Sequence, residues 1–320
     1  MVSVIVPNWN GKHFLEECLN CLRDQTYQDF EIIVVDNGSI DGSVEFVKKT
    51  FPEGQIISLP LNKGFSGAAN EGIKSAKGKF IALLNNDTMV DDRWLEELVK
   101  GISGSEDIGF CASKVFCLPR KGEIDSAGDS YTRYGVAFKR RDRIGKNVFL
   151  QRELVFGACA VAALYRSSML EEIGDFDEDF FCLYEDVDLS FRAQLAGYKC
   201  LYVPTAIVYH RVGGTAGTDN DFTLYYGQRN LELVFLKNMP LPLLIKYLPL
   251  HTGYVILAFI YHLLRREGKI FLYSKMDALK RIRSTLQKRK IIQRKKKVSV
   301  AYSESIIDKR SLFKYVIHRM

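Results

Sequence analysis

The 320-residue sequence contains no G-x-G-x-x-G and no G-x-x-x-x-G-K-[ST]. Neither the dinucleotide-binding turn nor the P-loop is therefore present, although both are common ways to hold phosphates at a strand-to-helix junction. No basic segment precedes the first apolar stretch. Val2 to Val6 already reads as a strand, so no secretory signal is expected and the protein should stay in the cytosol. Cysteine occurs seven times, an odd count in mostly apolar contexts, which argues for reduced thiols rather than a disulfide framework. Cys18 and Cys21 have zinc-like spacing, but no second pair follows and both fall in a helical pattern, so core packing is their expected role. A net excess of positive charge is confined to one place. Residues Arg265 to Lys297 hold fourteen Lys or Arg against Glu267 and Asp277, a local excess of +12 that leaves the rest of the chain at −5.

With 47% hydrophobic residues, the chain has material for one large core or two small ones, and 26% charged residues is not a disordered composition. The first hundred residues alternate strand and helix. Strands are expected at Val2–Val6 (stopped by Pro7), Glu31–Val35, Ile56–Leu59 and Phe80–Leu84. Helices are expected over 12–24, 43–50, 66–76 and Trp94–Ile102. Near-continuous apolar strands separated by amphipathic helices indicate an α/β fold with a mostly parallel central sheet flanked by helices. Farther on, Leu154–Tyr165 is β-like but broken by Gly157, and Tyr184–Ala196 is helical. Lys199–Val203 and Ala206–Tyr209 read as two strands separated by Pro204.

Ligands of such sheets bind at the carboxyl ends of the strands. Those ends here are Pro7-Asn8, Asp36-Asn37-Gly38-Ser39, Asn62-Lys63-Gly64 and Asn85-Asn86-Asp87, each polar after an apolar run. Asp36 can accept from an imide N–H such as uracil or thymine offers; a turn or helix cap is the alternative. The loop from Asn62 through Gly64 to Asn70 enters a helix, a placement that suits phosphate. Asp87 can give a hard cation a carboxylate, and Asn85 an amide oxygen. In Glu185-Asp186-Val187-Asp188, Asp186 can face a cleft from the first helical turn, while Asp188 and Arg192 are spaced to pair. His210 ends an apolar strand and by itself reads as a structural histidine.

Taken in order, PNWNG at 7–11, VVDNGSIDGS at 34–43, NKGFSGAAN at 62–70, LLNNDT at 83–88, FGACAVAALYR at 156–166, YEDVDLSFR at 184–192 and VYHRVGGT at 208–215 resemble the family 2 inverting glycosyltransferases of GT-A fold. The resemblance covers roughly residues 1–235 and looks closest to the rhamnosyltransferase-like branch of bacteria and archaea. It implies a GT-A domain over 1–235, with a nucleotide-binding half at 1–105 and a sugar and acceptor half at 106–235. It also assigns roles. Asp36, with Pro7, Asn8 and Asn37, would hold the base; Asn62, Gly64 and Asn70 would follow the ribose and diphosphate. Asn85-Asn86-Asp87 stands at the family's D-x-D metal motif, with Asn85 departing from its first Asp. His210 would join Asp87 on Mg2+ or Mn2+. Asp186 would be the general base, and Gly157 and Ala158 would line the sugar pocket. The donor implied is a dTDP- or UDP-sugar, with L-rhamnose one candidate, and the acceptor a surface glycan or lipid-linked glycan.

Residues 236–320 form an apolar, then basic, helical appendage. Its composition favours an anionic membrane surface and hence a peripheral place on the inner face of the cell membrane; the plainer alternative is a helical appendage packed on the domain with a solvated basic end. Nucleic acid is not expected as a partner, because the aromatics precede the charge rather than interleave with it. Two other functions fit the composition less well. A sugar nucleotidyltransferase would carry a Gly-rich, basic signature where this chain has Pro7-Asn8-Trp9-Asn10. A catalytically degenerate, membrane-associated scaffold has Asn85 in its favour and Asp36, Asp87 and Asp186 against it.

Overall fold

The computed structural model describes all residues except 119, 121, 142–147, 214–220 and 311–320. Gly214 and Thr215 of the VYHRVGGT motif lie outside the described residues. The first half runs β1 (Val2–Asn8), α1 (Lys12–Arg23), β2 (Phe30–Asp36), α2 (Ser43–Thr50), β3 (Gln55–Ser58), α3 (Gly64–Ser75), β4 (Phe80–Leu84), β5 (Thr88–Val90) and α4 (Trp94–Ser103). The second half adds β6 (Ile108–Cys117), β7 (Ile124–Ser126), β8 (Asp129–Thr132), β9 (Ala137–Lys139), β10 (Glu153–Val155), β11 (Ala162–Arg166), α5 (Ser167–Ile173), α6 (Glu185–Leu195) and β12 (Lys199–His210). There follow α7 (Asp221–Asn238), α8 (Leu241–Leu264), α9 (Gly268–Lys280), α10 (Ile282–Lys295), α11 (Val300–Ser305) and β13 (Ile307–Asp308).

The main sheet has the order β10-β12-β6-β11-β4-β1-β2-β3, and β13-β8-β9 form a small second sheet. β3, β2, β1 and β4 are parallel, as their buried apolar runs require, since helices cover both faces. One core lies against α1 and α4, the other against α3, α5 and α6. β11 inserts antiparallel between β4 and β6, and β12 runs parallel to β6. Three features of this topology build the site. Asn8 and Asp36 are in register at the ends of β1 and β2. β5 pairs antiparallel with β12, setting Thr88 opposite His210. β7 pairs with β6, whose last residue, Cys117, lies opposite His210.

Several sequence expectations need correction. Pro7 does not stop the first strand: it pairs opposite Val35, and the ladder continues to Asn8 because proline forfeits only one N–H. Pro204 does not divide 199–210; it lies in a register shift between Val203 and Ile207 inside one strand. Within the appendage, prolines likewise leave 241–264 one helix. Pro242 sits in the first turn, where its missing N–H has no helical partner, and α8 runs through Pro249. The expected boundary at 235/236 falls inside α7, and a third core formed by α6, α7, α8 and α9 joins the two parts.

Candidate active site

The strand mouths form one hydrogen-bonded surface. Asn86 Nδ2 donates to Asn8 Oδ1 (2.7 Å), and Asn8 Nδ2 donates to Asp36 Oδ1 (3.0 Å). Asp36 Oδ2 accepts from the Ser39 backbone N–H at 3.0 Å, which fixes the carboxylate at the end of β2. Gly11 makes this approach possible, since a Cβ there would stand 2.0 Å from Asn86 Nδ2. Beside it, Asn37 donates to Asn62 Oδ1 (2.9 Å) and the Gly64 carbonyl (3.0 Å) and accepts from the Lys63 N–H (2.8 Å). Gly64 adopts φ +73°, and a Cβ on it would lie 2.3 Å from the Phe181 carbonyl oxygen. This loop therefore packs directly on the segment that leads to α6.

Asp87 and His210 meet through the β5–β12 pairing. His210 Nε2 lies 3.4 Å from Asp87 Oδ1, and Nδ1 lies 3.4 Å from Asp125 Oδ2. Burial alone would lower the imidazole pKa, but Asp125 and Asp87 outweigh it and hold the ring above its ordinary value. Asp87 Oδ1 is buried without a hydrogen bond. An orphaned carboxylate oxygen beside an imidazole nitrogen fits a divalent cation. Among the described residues no three His, Cys, Asp or Glu side chains gather as a complete metal cage. That suits an ion completed by substrate phosphate and water. Asn85 contributes through its backbone: its carbonyl accepts from Thr88 Oγ1 (2.6 Å) and its N–H donates to the Val161 carbonyl (2.9 Å).

Asp186 opens α6. Its Oδ2 accepts from the Ala160 N–H (3.1 Å) and its Oδ1 from the Val187 N–H (2.8 Å). Burial raises its pKa, and those two N–H groups and Lys139 restrain the rise without cancelling it. Asp129, buried nearby, is raised well above the usual carboxylate range by burial and by the Asp186 charge. The approach to α6 is unusual backbone: Phe181, Leu183 and Tyr184 all have positive φ (65°, 65° and 70°). Two residues of α7 hold it. Asn230 Nδ2 donates to the carbonyls of Phe180, Cys182 and Leu183, and Arg229 Nη2 to those of Asp179 and Phe180.

The model of glycosyl transferase family 2 matches residues 3–174. The chain belongs to that family. AglE of Haloferax volcanii, a glycosyltransferase, is 30% identical over 215 residues, covering 65% of this chain and 66% of AglE. The alignments reach 66%, 60% and 51% of the length of three curated relatives, so this family 2 chain matches two thirds of them or less. S. aureus TarS 1–349, solved with UDP-GlcNAc, superposes with a TM-score of 0.61 at 18% identity over 95% of this chain and 90% of that one. The mannosyltransferase PcManGT from Pyrobaculum calidifontis, solved with GDP-Man and Mn2+, gives 0.55 at 18% identity over 91% and 86%. The fold of the family 2 chain is GT-A.

Within this fold the anticipated residues divide. Asn8, Asp36, Asn86, Asp87, His210 and Asp186 converge on the strand mouths, with Pro7 half-buried beside them. Asn37, Asn62 and Gly64 shape the neighbouring loop. Asn70 is a correction: its amide is committed to the Phe176 backbone and Glu178, so it braces the segment ahead of α6 rather than facing a diphosphate. Gly157 and Ala158 are a second correction. Both are buried; a Cβ on Gly157 would lie 2.6 Å from Ser190 Oγ, and Ala158 is 0% exposed, so they pack the segment onto α6 rather than line an open pocket. Asp125 and Lys139, joined at 2.8 Å, were not anticipated. Asp125 within GEIDSAGDS carries no periodic or motif signal.

Proposed function

We propose that this chain transfers a sugar, with inversion, from a nucleoside-diphosphate donor to an acceptor hydroxyl. The observation that carries the reading is the short segment Ala160–Val161. The Ala160 N–H binds the Asp186 carboxylate and the Val161 carbonyl binds the Asn85 N–H, so one stretch of backbone joins the base to the strand mouth of Asp87. Asp186 takes the proton from the acceptor hydroxyl as its oxygen attacks the anomeric carbon and the bond to the diphosphate breaks. Its raised pKa is suited to that role. Asp87 and His210 would hold Mg2+ or Mn2+, which supplies positive charge to the departing diphosphate. Asp36 faces the base. The donor we infer is a dTDP- or UDP-sugar; L-rhamnose is the candidate that the sequence resemblance favours.

The acceptor in this reading is a glycan or lipid-linked glycan at the inner face of the cell membrane. α8 is 24 residues long, and by length and composition it is apolar enough to cross a bilayer, with 17% of its apolar window buried. Its exposed stripe includes Ile245, Ile256, Leu257, Ile260 and Leu264, and α9 adds Leu272, Met276 and Leu279. Exposed Lys269, Lys280, Arg283, Lys290 and Arg294 flank these faces, an arrangement suited to an anionic surface. Ile256→Glu with Leu257→Glu should release the protein from vesicles containing anionic lipid; unchanged sedimentation would remove the membrane from this reading.

Nucleotide release from dTDP-, UDP- and GDP-sugars, with Mg2+ or Mn2+ and with chelator, tests the chemistry. Asp186→Asn should keep donor affinity and lower turnover roughly 100- to 10,000-fold. Turnover close to wild type would eliminate Asp186 as the base. Wild-type activity should rise with pH through a midpoint above the ordinary carboxylate range, because the base must be ionised.

A further inference from the structure

We infer that Asp125 is a positioning residue that orients His210 toward the cation without touching the cation itself. The inference rests on the proposed donor site and concerns how that site is held.

The imidazole of His210 lies between two carboxylates, with Asp125 Oδ2 3.4 Å from Nδ1 and Asp87 Oδ1 3.4 Å from Nε2. Asp87, Asp125 and His210 are all buried. A neutral imidazole has one N–H and can serve only one carboxylate; on the other side a nitrogen lone pair faces carboxylate lone pairs. The surroundings decide which side is which. Asp125 is already compensated, with Lys139 Nζ 2.8 Å from Oδ2 and Arg141 3.2 Å from Oδ1. Asp87 Oδ1 has no hydrogen bond at all. The surroundings would be satisfied with Nδ1–H directed at Asp125, which leaves Nε2 and Asp87 Oδ1 as the atoms that would hold a divalent cation. Lys139 has a second effect: by occupying Oδ2 it keeps Asp125 from competing for the ion.

The backbone is built for this placement. Val115 pairs with Ser126 and Phe116 with Ile124, so Asp125 is the extra residue of a β-bulge, a device that re-aims a side chain. His210 is pinned between Thr88 of β5 and Cys117 of β6. Neither side chain sits on a free loop.

The test is Mn2+ binding in the presence of UDP and without acceptor, followed by the electron paramagnetic resonance of free Mn2+. Asp125→Ala should weaken binding about 10- to 100-fold. Asp125→Asn keeps an acceptor for Nδ1–H and should recover part of the loss. In a His210→Ala background, removing Asp125 should change affinity no further. With five histidines in the chain, the ring 15N shifts of His210 can be followed, and Asp125→Ala should abolish the Nδ1–H preference. Affinity of Asp125→Ala within about twofold of wild type, well short of the outer-shell effect, would overturn the inference. So would an equal loss in the His210→Ala background. If Asp125→Ala does not fold, Asp125→Asn in the two backgrounds carries the same comparison. Wild type that takes up no Mn2+ with UDP would sink the donor site and this inference together. Normal wild type beside an indifferent Asp125 variant would sink this inference alone.

Discussion

At the wall of the cleft proposed for the donor (the donor wall), Asn86, Asn8 and Asp36 are joined at 2.7 Å and 3.0 Å by amides and one carboxylate, all from the ends of neighbouring strands. At the wall proposed for the base (the base wall), α6 and the segment before it are held by ion pairs, several with cations from later helices. Asp188, 0% exposed, binds Arg192 Nε (2.9 Å) and Lys237 Nζ (2.7 Å). Lys237 also binds Asp177 (2.6 Å), and Lys288 of α10 reaches both Asp177 and Asp179. The donor wall is thus a property of the sheet itself, whereas the base wall depends on the appendage. Part of the basic tail is engaged by the protein rather than offered to solvent: Lys275 pairs with Glu232 and Arg281 with Asp179, and Arg289 caps the Leu236 and Met239 carbonyls. Deleting 239–320 to test membrane binding would therefore also strip the base wall, which is why surface substitutions are the cleaner test.

The sharpest way to break this contrast is Lys237→Ala. It leaves Asp188 and Asp177 short of a cation in the interior and should cost about 3–5 kcal/mol in urea unfolding. A cost under about 1 kcal/mol, the level of a surface pair, would mean that the base wall does not depend on these ions. Next is acid. Glu232 is pushed up by burial, but His251 and Lys275 pull it down to about 2 from an ordinary 4.5. A carboxylate depressed in the folded state stabilises above its unfolded pKa and loses that contribution as pH falls through the folded value. Between about pH 4.5 and 2 the protein should lose of order 3 kcal/mol from this group, and Glu232→Gln should flatten that part of the stability curve. The donor wall should respond least. Asn8→Ala removes hydrogen bonds to Asp36 and Asn86 and should cost about 1–3 kcal/mol, read as weaker UDP binding with little change in the unfolding midpoint beyond that. A larger loss of stability than Lys237→Ala would invert the comparison.

The same contrast explains what the sequence made legible. The parallel strands and the helices of the first hundred residues were visible within a residue or two, because strands buried on both faces leave unbroken apolar runs. Asp36, Asp87 and Asp186 were visible because each follows or opens such an element. β6 was hidden by Lys114, which is buried inside it with its ammonium on the Val148 carbonyl. α7 was hidden because its buried residues include Arg229, Asn230, Lys237 and Asn238, so no apolar stripe marks its inner face. Asp125 gained its place from a bulge and a strand pairing that no local pattern announces. Asn70 was placed on the diphosphate by the resemblance alone, but its amide is engaged 106 residues away at Phe176.

The grip of α7 on the approach to α6 has a consequence for altering this protein. The hydrogen bonds that Asn230 and Arg229 make to residues 179–183 go to their carbonyl oxygens. The shape of that turn is therefore imposed from outside it, while the identities of its outward side chains, such as Leu183, are left open. A library varied at Leu183 and its exposed neighbours can change what the cleft admits while Asp186 stays where it is. Varying Asn230 instead would release the turn whatever sequence it carried.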